Sequence, residues 1–231
     1  MTNEFACKYE NFKKLCQGYP ARFSMIDEDA MDCEEIDKAS ATFDSHYVYH
    51  TAWAARKLNE IKPELHYDIG SYLYFSTIVS AFIPIRFFDI RPVEVYLPNL
   101  RTEFADLTKL LFVNNSVSSL SCMHVVEHVG LGRYGDTVDP NGDLKAISEL
   151  KRVLAVGGYL LFVVPVGQPR ICFHAHRVYS YEQVLEYFSE LSLVEYTLIA
   201  QASGDKVIVQ NATAEQTSAQ RYGCGCFLFK K

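Results

Sequence analysis

From Leu65 onward, short apolar runs alternate with stretches of helical spacing, and this alternation leaves few folds open. Strand, helix, strand crossovers of this kind build a mostly parallel sheet with helices on both faces, an α/β class. The spacing predicts strands at Leu65–Ile69, Ile85–Asp89, Arg101–Ala105, Val117–Cys122 and Tyr159–Val164. Between the last two, Leu144, Ile147, Leu150, Val153 and Leu154 recur at three and four, so Asp143–Ala155 is a helix, stopped by Gly157 and Gly158. A further helix is expected at Tyr181–Leu191, strands at Leu193–Ala200 and Cys224–Phe229, and a polar loop from Ser203 to Gln220. Residues 1–62 read as a helical preamble packed on the core, with an amphipathic piece at Asn11–Cys16, an acidic stretch at Ile26–Asp37 and a helix at His46–Ile61. Residues 63–231 are then the α/β domain.

Charge narrows the partners. Lys and Arg number 22 against 28 Asp and Glu, a formal net charge of -6 with no basic stripe, so no nucleic-acid partner is expected. The longest apolar stretch, Tyr159–Val166, is broken by Pro165 and far short of the roughly 20 residues that span a bilayer, so no membrane association is expected. Met1–Phe5 shows no basic region leading into an apolar one, which makes the cytoplasm the expected location. The seven cysteines are scattered, and several sit in apolar runs where a reduced thiol packs as a small hydrophobe. Cys224 and Cys226 flank Gly225, a spacing that suits one face of a strand better than a zinc knuckle, and they read as structural.

The first strand ends in Asp68, Ile69, Gly70 and Ser71, and the second ends in Asp89. In a doubly wound sheet the loops at the carboxyl ends of the strands line the ligand crevice, and an acid at the end of the second strand accepts the hydroxyls of a ribose. An adenosine-containing ligand is therefore expected. Of a G-x-G-x-x-G pattern only Gly70 survives, with Tyr72 and Phe75 in the later glycine positions, so a pyrophosphate would be poorly cradled. S-adenosylmethionine, which has no phosphate, loses little by this. Farther on, His124, Glu127 and His128 form H-x-x-E-H, whose members share one face if the segment is helical. They are packing residues in one reading and acceptor-side or metal-binding residues in the other. Asp139, Asn141, Gly142 and Asp143 imitate the start of a calcium loop, but Leu150 stands where its glutamate is needed, which excludes calcium.

Over Leu65–Phe188 the chain resembles class I S-adenosylmethionine-dependent methyltransferases. The resemblance is carried by His66–Ser71, Phe87–Arg91, Phe104–Leu107, Ser121–Val129 and Glu149–Phe162. Within that superfamily it is similar to a family of unknown-function domains, some of which occur among surface-polysaccharide genes. The resemblance implies a Rossmann-like, mostly parallel seven-strand sheet, S-adenosylmethionine as methyl donor, and a small-molecule or glycan hydroxyl as acceptor. It implies that Asp68, Gly70 and Ser71 hold the methionine half, Asp89 and Ile90 the ribose, Asp106 and Leu107 the adenine, and Met123 the donor's flank. Asp106 serves equally as the N-cap of a short helix starting at Leu107. On the acceptor side His124 is the preferred base, with Glu127 and His128 beside it. Alternatively, His124, Glu127, His128 and His176 hold a divalent ion. Tyr72 stands where the superfamily keeps glycine, which leaves a catalytically silent binding subunit as the competing reading and a metallohydrolase as a third.

Overall fold

Each apolar run expected between Leu65 and Val164 forms a strand in the computed structural model, which describes residues 3–16, 43–202 and 207–231. The acidic stretch Ile26–Asp37 lies outside the described residues. The chain forms two units, Met1–Asp44 and Ser45–Lys231. In the first, helix α1 (Asn3–Cys16) starts well before the expected Asn11, and Glu4–Lys8 and Glu10–Lys13 ion pairs of 3.1 and 3.2 Å link successive turns along it.

The second unit opens with helix α2 (Ser45–Ile61), then β1 (His66–Ile69), α3 (Leu73–Val79), β2 (Ile85–Asp89), β3 (Leu100–Phe104) and β4 (Val117–Met123). Helix α4 (Gly142–Val153) leads into β5 (Leu154–Val166), and a small hairpin of β6 (Arg170–Cys172) and β7 (His176–Val178) follows. Helix α5 (Tyr181–Tyr187), β8 (Ser192–Ile199), β9 (Ile208–Gln210), α6 (Ala214–Ser218) and β10 (Gly223–Lys230) complete it. The main sheet has the order β3-β2-β1-β4-β5-β10-β8-β9. The first five of these strands are parallel, while β10 runs antiparallel to both β5 and β8.

Eight strands therefore make up the main sheet among the described residues, where seven were expected. The extra one is β9, inside the stretch read as a polar loop: three residues are too few to show a period of two. The same stretch contains α6, whose Thr213 and Gln216 cap it reciprocally. Helix α4 stops earlier than expected because Leu154 is already extended and paired with Val117.

Alternation along β5 sends Leu160, Phe162 and Val164 into one core layer and Leu161 and Val163 into the other. The first layer is covered by Ala146, Ile147, Leu150 and Val153 of α4, the second by Trp53, Ala54 and Leu58 of α2 and Phe75 and Val79 of α3. Helices on both faces force the central strands to be apolar throughout. The order of strands reverses between β1 and β4, and a crevice opens at their carboxyl ends, the place where such sheets bind ligands. No helix among the described residues is long and apolar enough to cross a membrane.

Candidate functional site

At the end of β1 the chain turns through Gly70, whose φ of +67° belongs to the left-handed region. A Cβ there would also lie 3.1 Å from a methyl of Val125, so both conformation and space call for glycine. The Ser71 hydroxyl next to it accepts the Met123 N–H at 3.1 Å, tying this turn to the end of β4. Tyr72 begins α3 with φ −66° and ψ 118°, a conformation open to any side chain. Its ring stands against Tyr47 and Tyr74, with centroids 5.3 and 5.2 Å away.

Asp68 does not face the crevice, contrary to the direct ligand role implied for it. Its carboxylate is fully buried and accepts from the hydroxyls of Ser71, Ser76 and Ser121. Because Ser121 spends its one proton on Asp68, its oxygen must accept from His66 Nε2–H at 2.9 Å, and His66 Nδ1 then accepts from Ser119 at 2.7 Å. The network leaves the Ser71 turn fixed from below.

Burial pushes Asp68 up to about 6 from its ordinary 3.8 and His66 down to about 3 from 6.5. Folded Asp68 keeps its proton after the unfolded chain has lost it, so its contribution to stability falls as pH rises from about 4 to 6. His66, held neutral in the fold, contributes stability that grows with pH over about 3 to 6.5. The two oppose each other in the parent. Asp68→Asn should leave the rising limb and His66→Gln the falling one, each of up to about 3 kcal/mol between pH 4 and 6. Urea unfolding of the three proteins across that window reads both slopes, and parallel profiles would refute the opposition.

Above this floor lies a cleft of about 820 Å³. Of the donor-side residues taken from the sequence, Gly70, Ser71, Asp89, Ile90, Asp106, Leu107 and Met123 line it. Asp89 Oδ1 accepts the Arg91 N–H at 2.7 Å. Asp106 Oδ1 accepts from the N–H and hydroxyl of Thr108 at 2.8 and 2.7 Å; it closes a turn, and no helix begins at Leu107. His124 and His128 line the same cleft, while Glu127 and His176 do not.

The H-x-x-E-H segment is not an α-helix, so its members do not share a helical face. His124 adopts φ +56° while its N–H donates to Val163 O at 2.8 Å, which ends β4 abruptly. Only a single 3-10 turn, Val126–His128, follows. That turn brings Glu127 back to His124, with Oε1 2.7 Å from Nδ1. Glu127 is 1% exposed, burial pushes its carboxyl up to about 7, and Oε2 has no partner among the described residues. His128 Nδ1 donates to Ala175 O, its Nε2 stays 3.8 Å from Glu127 Oε1, and burial lowers its pKa. His176 packs against Tyr222 at 4.9 Å, its pKa also lowered by burial. The four proposed metal ligands therefore do not converge as a set.

Tyr47, Arg91, Tyr134 and Lys145 also line the cleft, and no motif singled out Arg91 or Lys145 for this place. Arg91 stacks its guanidinium over Tyr134 at 4.5 Å. Asp136, which also lines the cleft, accepts from the N–H groups of Gly130, Gly132 and Tyr134 and so shapes the loop. Arg177 gave no signal in the sequence, yet it is buried and gathers the carbonyls of Val129 and Pro140 at 2.7 and 3.2 Å. It holds the cleft-lining loop onto β7.

Solved structures with this architecture include several methyltransferases and also the [4+2]-cyclase SpnF. A protein assigned as a methyltransferase, solved with the Haloferax volcanii Trm112 methyltransferase activator, superposes with a TM-score of 0.54 at 19% identity, covering 90% of this chain and 99% of its own. The N-methyltransferase NodS of Bradyrhizobium japonicum, in complex with S-adenosyl-L-homocysteine, gives 0.53 at 15% identity, covering 89% and 93%. A TehB-like methyltransferase of Corynebacterium glutamicum gives 0.52 at 14% identity, covering 85% and 94%. No curated protein sequence matches the chain. The fold is thus the Rossmann-like fold of class I S-adenosylmethionine-dependent methyltransferases, as the motifs implied. A family match spans residues 100–222, more than half of the chain, and by it this chain belongs to the family described as Caenorhabditis protein of unknown function, DUF268.

Proposed function

We propose that the chain is an S-adenosylmethionine-dependent methyltransferase acting on a hydroxyl of a small molecule or glycan. The observation that carries this is a single cleft lined by Asp89, Asp106 and His124, the last of these backed by Glu127. Its volume of about 820 Å³ is in the range of about 300–1,000 Å³ usual for ligand sites. The residues present fit the donor: the Gly70 turn leaves space beside Ser71 for the methionine half, Asp89 and Ile90 take the ribose, and Asp106 and Leu107 the adenine. Asp68 acts one step removed, through Ser71. NodS, solved with the demethylated donor, supports the choice of ligand.

Bound, the donor supplies an electrophilic methyl group on a sulfonium, so the protein's own tasks are alignment and removal of the acceptor's proton. With Glu127 ionised and accepting from Nδ1–H, His124 carries its lone pair on Nε2 and takes that proton. The net charge of -6 favours an acceptor without a phosphate backbone, and the expected setting is cytoplasmic. Tyr72 argues against a silent subunit, because its backbone is unstrained and its ring packs on Tyr47 at the cleft's edge. A hydrolase built on H-x-x-E-H loses its support with the helix it needed.

Calorimetric titration with S-adenosylmethionine and S-adenosylhomocysteine tests the donor site. Both should bind, and Asp89→Ala should weaken each by about 1.5–3 kcal/mol, the worth of a charged hydrogen bond. Absence of heat from the parent with either ligand at millimolar concentration would sink the reading.

A further inference from the structure

We infer that His46, His124 and Cys224 form a zinc site. His46 lies in the first turn of α2, His124 at the end of β4 and Cys224 at the start of β10. One ring nitrogen of each histidine and the Cys224 sulfur lie within 4.8 Å of one another, and all three residues are buried. Two imidazoles and a thiolate are a borderline-soft donor set, suited to Zn²⁺ and ill suited to the oxygen-seeking Mg²⁺ and Ca²⁺. The cysteine read from sequence as structural is thus reassigned by the side chains the fold brings to it.

The surroundings of the ligands point the same way. A metal-binding histidine needs an acceptor on its other nitrogen, which fixes the tautomer and turns the remaining lone pair to the ion. Both rings have one: His124 Nδ1 meets Glu127 Oε1 at 2.7 Å, and His46 Nε2 meets Tyr222 O at 3.3 Å. Glu127 is also a buried carboxylate with no cationic side chain bonded to it among the described residues beyond histidine; Arg177 reaches only its backbone oxygen, at 3.5 Å. A divalent ion one imidazole away supplies the missing positive charge. Metal bonds of about 2.0–2.3 Å hold tetrahedral donors about 3.5 Å apart, so the group contracts by about 1 Å on loading. Three protein donors leave a fourth position for water or a substrate atom.

The inference rests on the methyltransferase reading only for its consequence. One lone pair of His124 cannot both hold zinc and take a proton, so the loaded and empty forms are two functional states of one site. Metal binding itself is tested without donor or acceptor. The full-length chain, stripped with a chelator, is titrated with Co²⁺ and then Zn²⁺. One equivalent of Co²⁺ should give the thiolate-to-cobalt charge-transfer band and the visible bands of a tetrahedral site, and Zn²⁺ should displace it. Cys224→Ala should abolish the charge-transfer band, and His46→Ala should weaken binding by at least about tenfold. Cys226→Ala should leave both unchanged, although its sulfur lies 4.0 Å from that of Cys224. No charge-transfer band from the parent, or one that survives Cys224→Ala, would overturn the site. If Cys224→Ala fails to fold, the parent's band and His46→Ala decide. Calorimetry with the donor on the same stripped protein separates the two readings: donor binding without metal binding removes the zinc site alone, and the reverse removes the methyltransferase reading alone.

Discussion

Arg177→Ala is expected to destabilise the chain by about 3–5 kcal/mol, the cost of leaving a buried charge without its partner. The guanidinium Nε lies 3.4 Å from Asp143 Oδ2, and both side chains are almost wholly buried. Its loss would leave that carboxylate with the Tyr179 hydroxyl, at 2.9 Å, and strip the carbonyls of Val129 and Pro140 of their donor. Urea unfolding measures the loss as a lower midpoint at unchanged slope. The double variant Arg177→Met, Asp143→Leu should recover much of it, since an apolar pair of similar volume often replaces a buried ion pair at little cost. A loss below about 1 kcal/mol in the single variant would mean that the pair is solvated in practice.

His124→Ala should slow methyl transfer by about 10²–10⁴, the usual contribution of a positioned general base. Donor affinity should change little, because the proposed donor contacts lie at Gly70–Ser71, Asp89–Ile90, Asp106–Leu107 and Met123 and none uses the His124 ring. The assay is release of S-adenosylhomocysteine with a panel of hydroxylated acceptors. Glu127→Gln should do less harm, since its amide oxygen can still accept from Nδ1 and hold the ring. Parent-like turnover by His124→Ala would remove His124 from the chemistry.

Strand positions were legible because burial on two faces writes continuous apolar runs, and the ends of β1 and β2 placed Gly70 and Asp89 correctly beside the crevice. Local spacing failed where the backbone leaves its regular path. The left-handed turn at His124 is invisible to a periodicity argument, so the H-x-x-E-H residues were expected on a helical face that does not exist. Asp68 was misplaced because its neighbour in sequence, Gly70, does face the cleft; only the three serine hydroxyls around it, from the β1 turn, α3 and β4, reveal it as internal. The meeting of His46, His124 and Cys224 depends on long-range packing, which no motif encodes.

The place of β10 in the sheet bears on how the chain reaches this structure. β10 follows β5 and β8 in sequence yet lies between them, paired with Val166 through Tyr159 on one side and Ile199 through Ser192 on the other. Until it inserts, β5 and β8 each present an open edge, and the helices that cover their faces have half a surface to dock on. Such late, non-local pairing slows folding and prolongs exposure of sticky edges. During refolding from urea, the half of the sheet built on β1 to β4 should therefore acquire amide protection before β8 and β10, and losses to aggregation should rise with concentration in that interval.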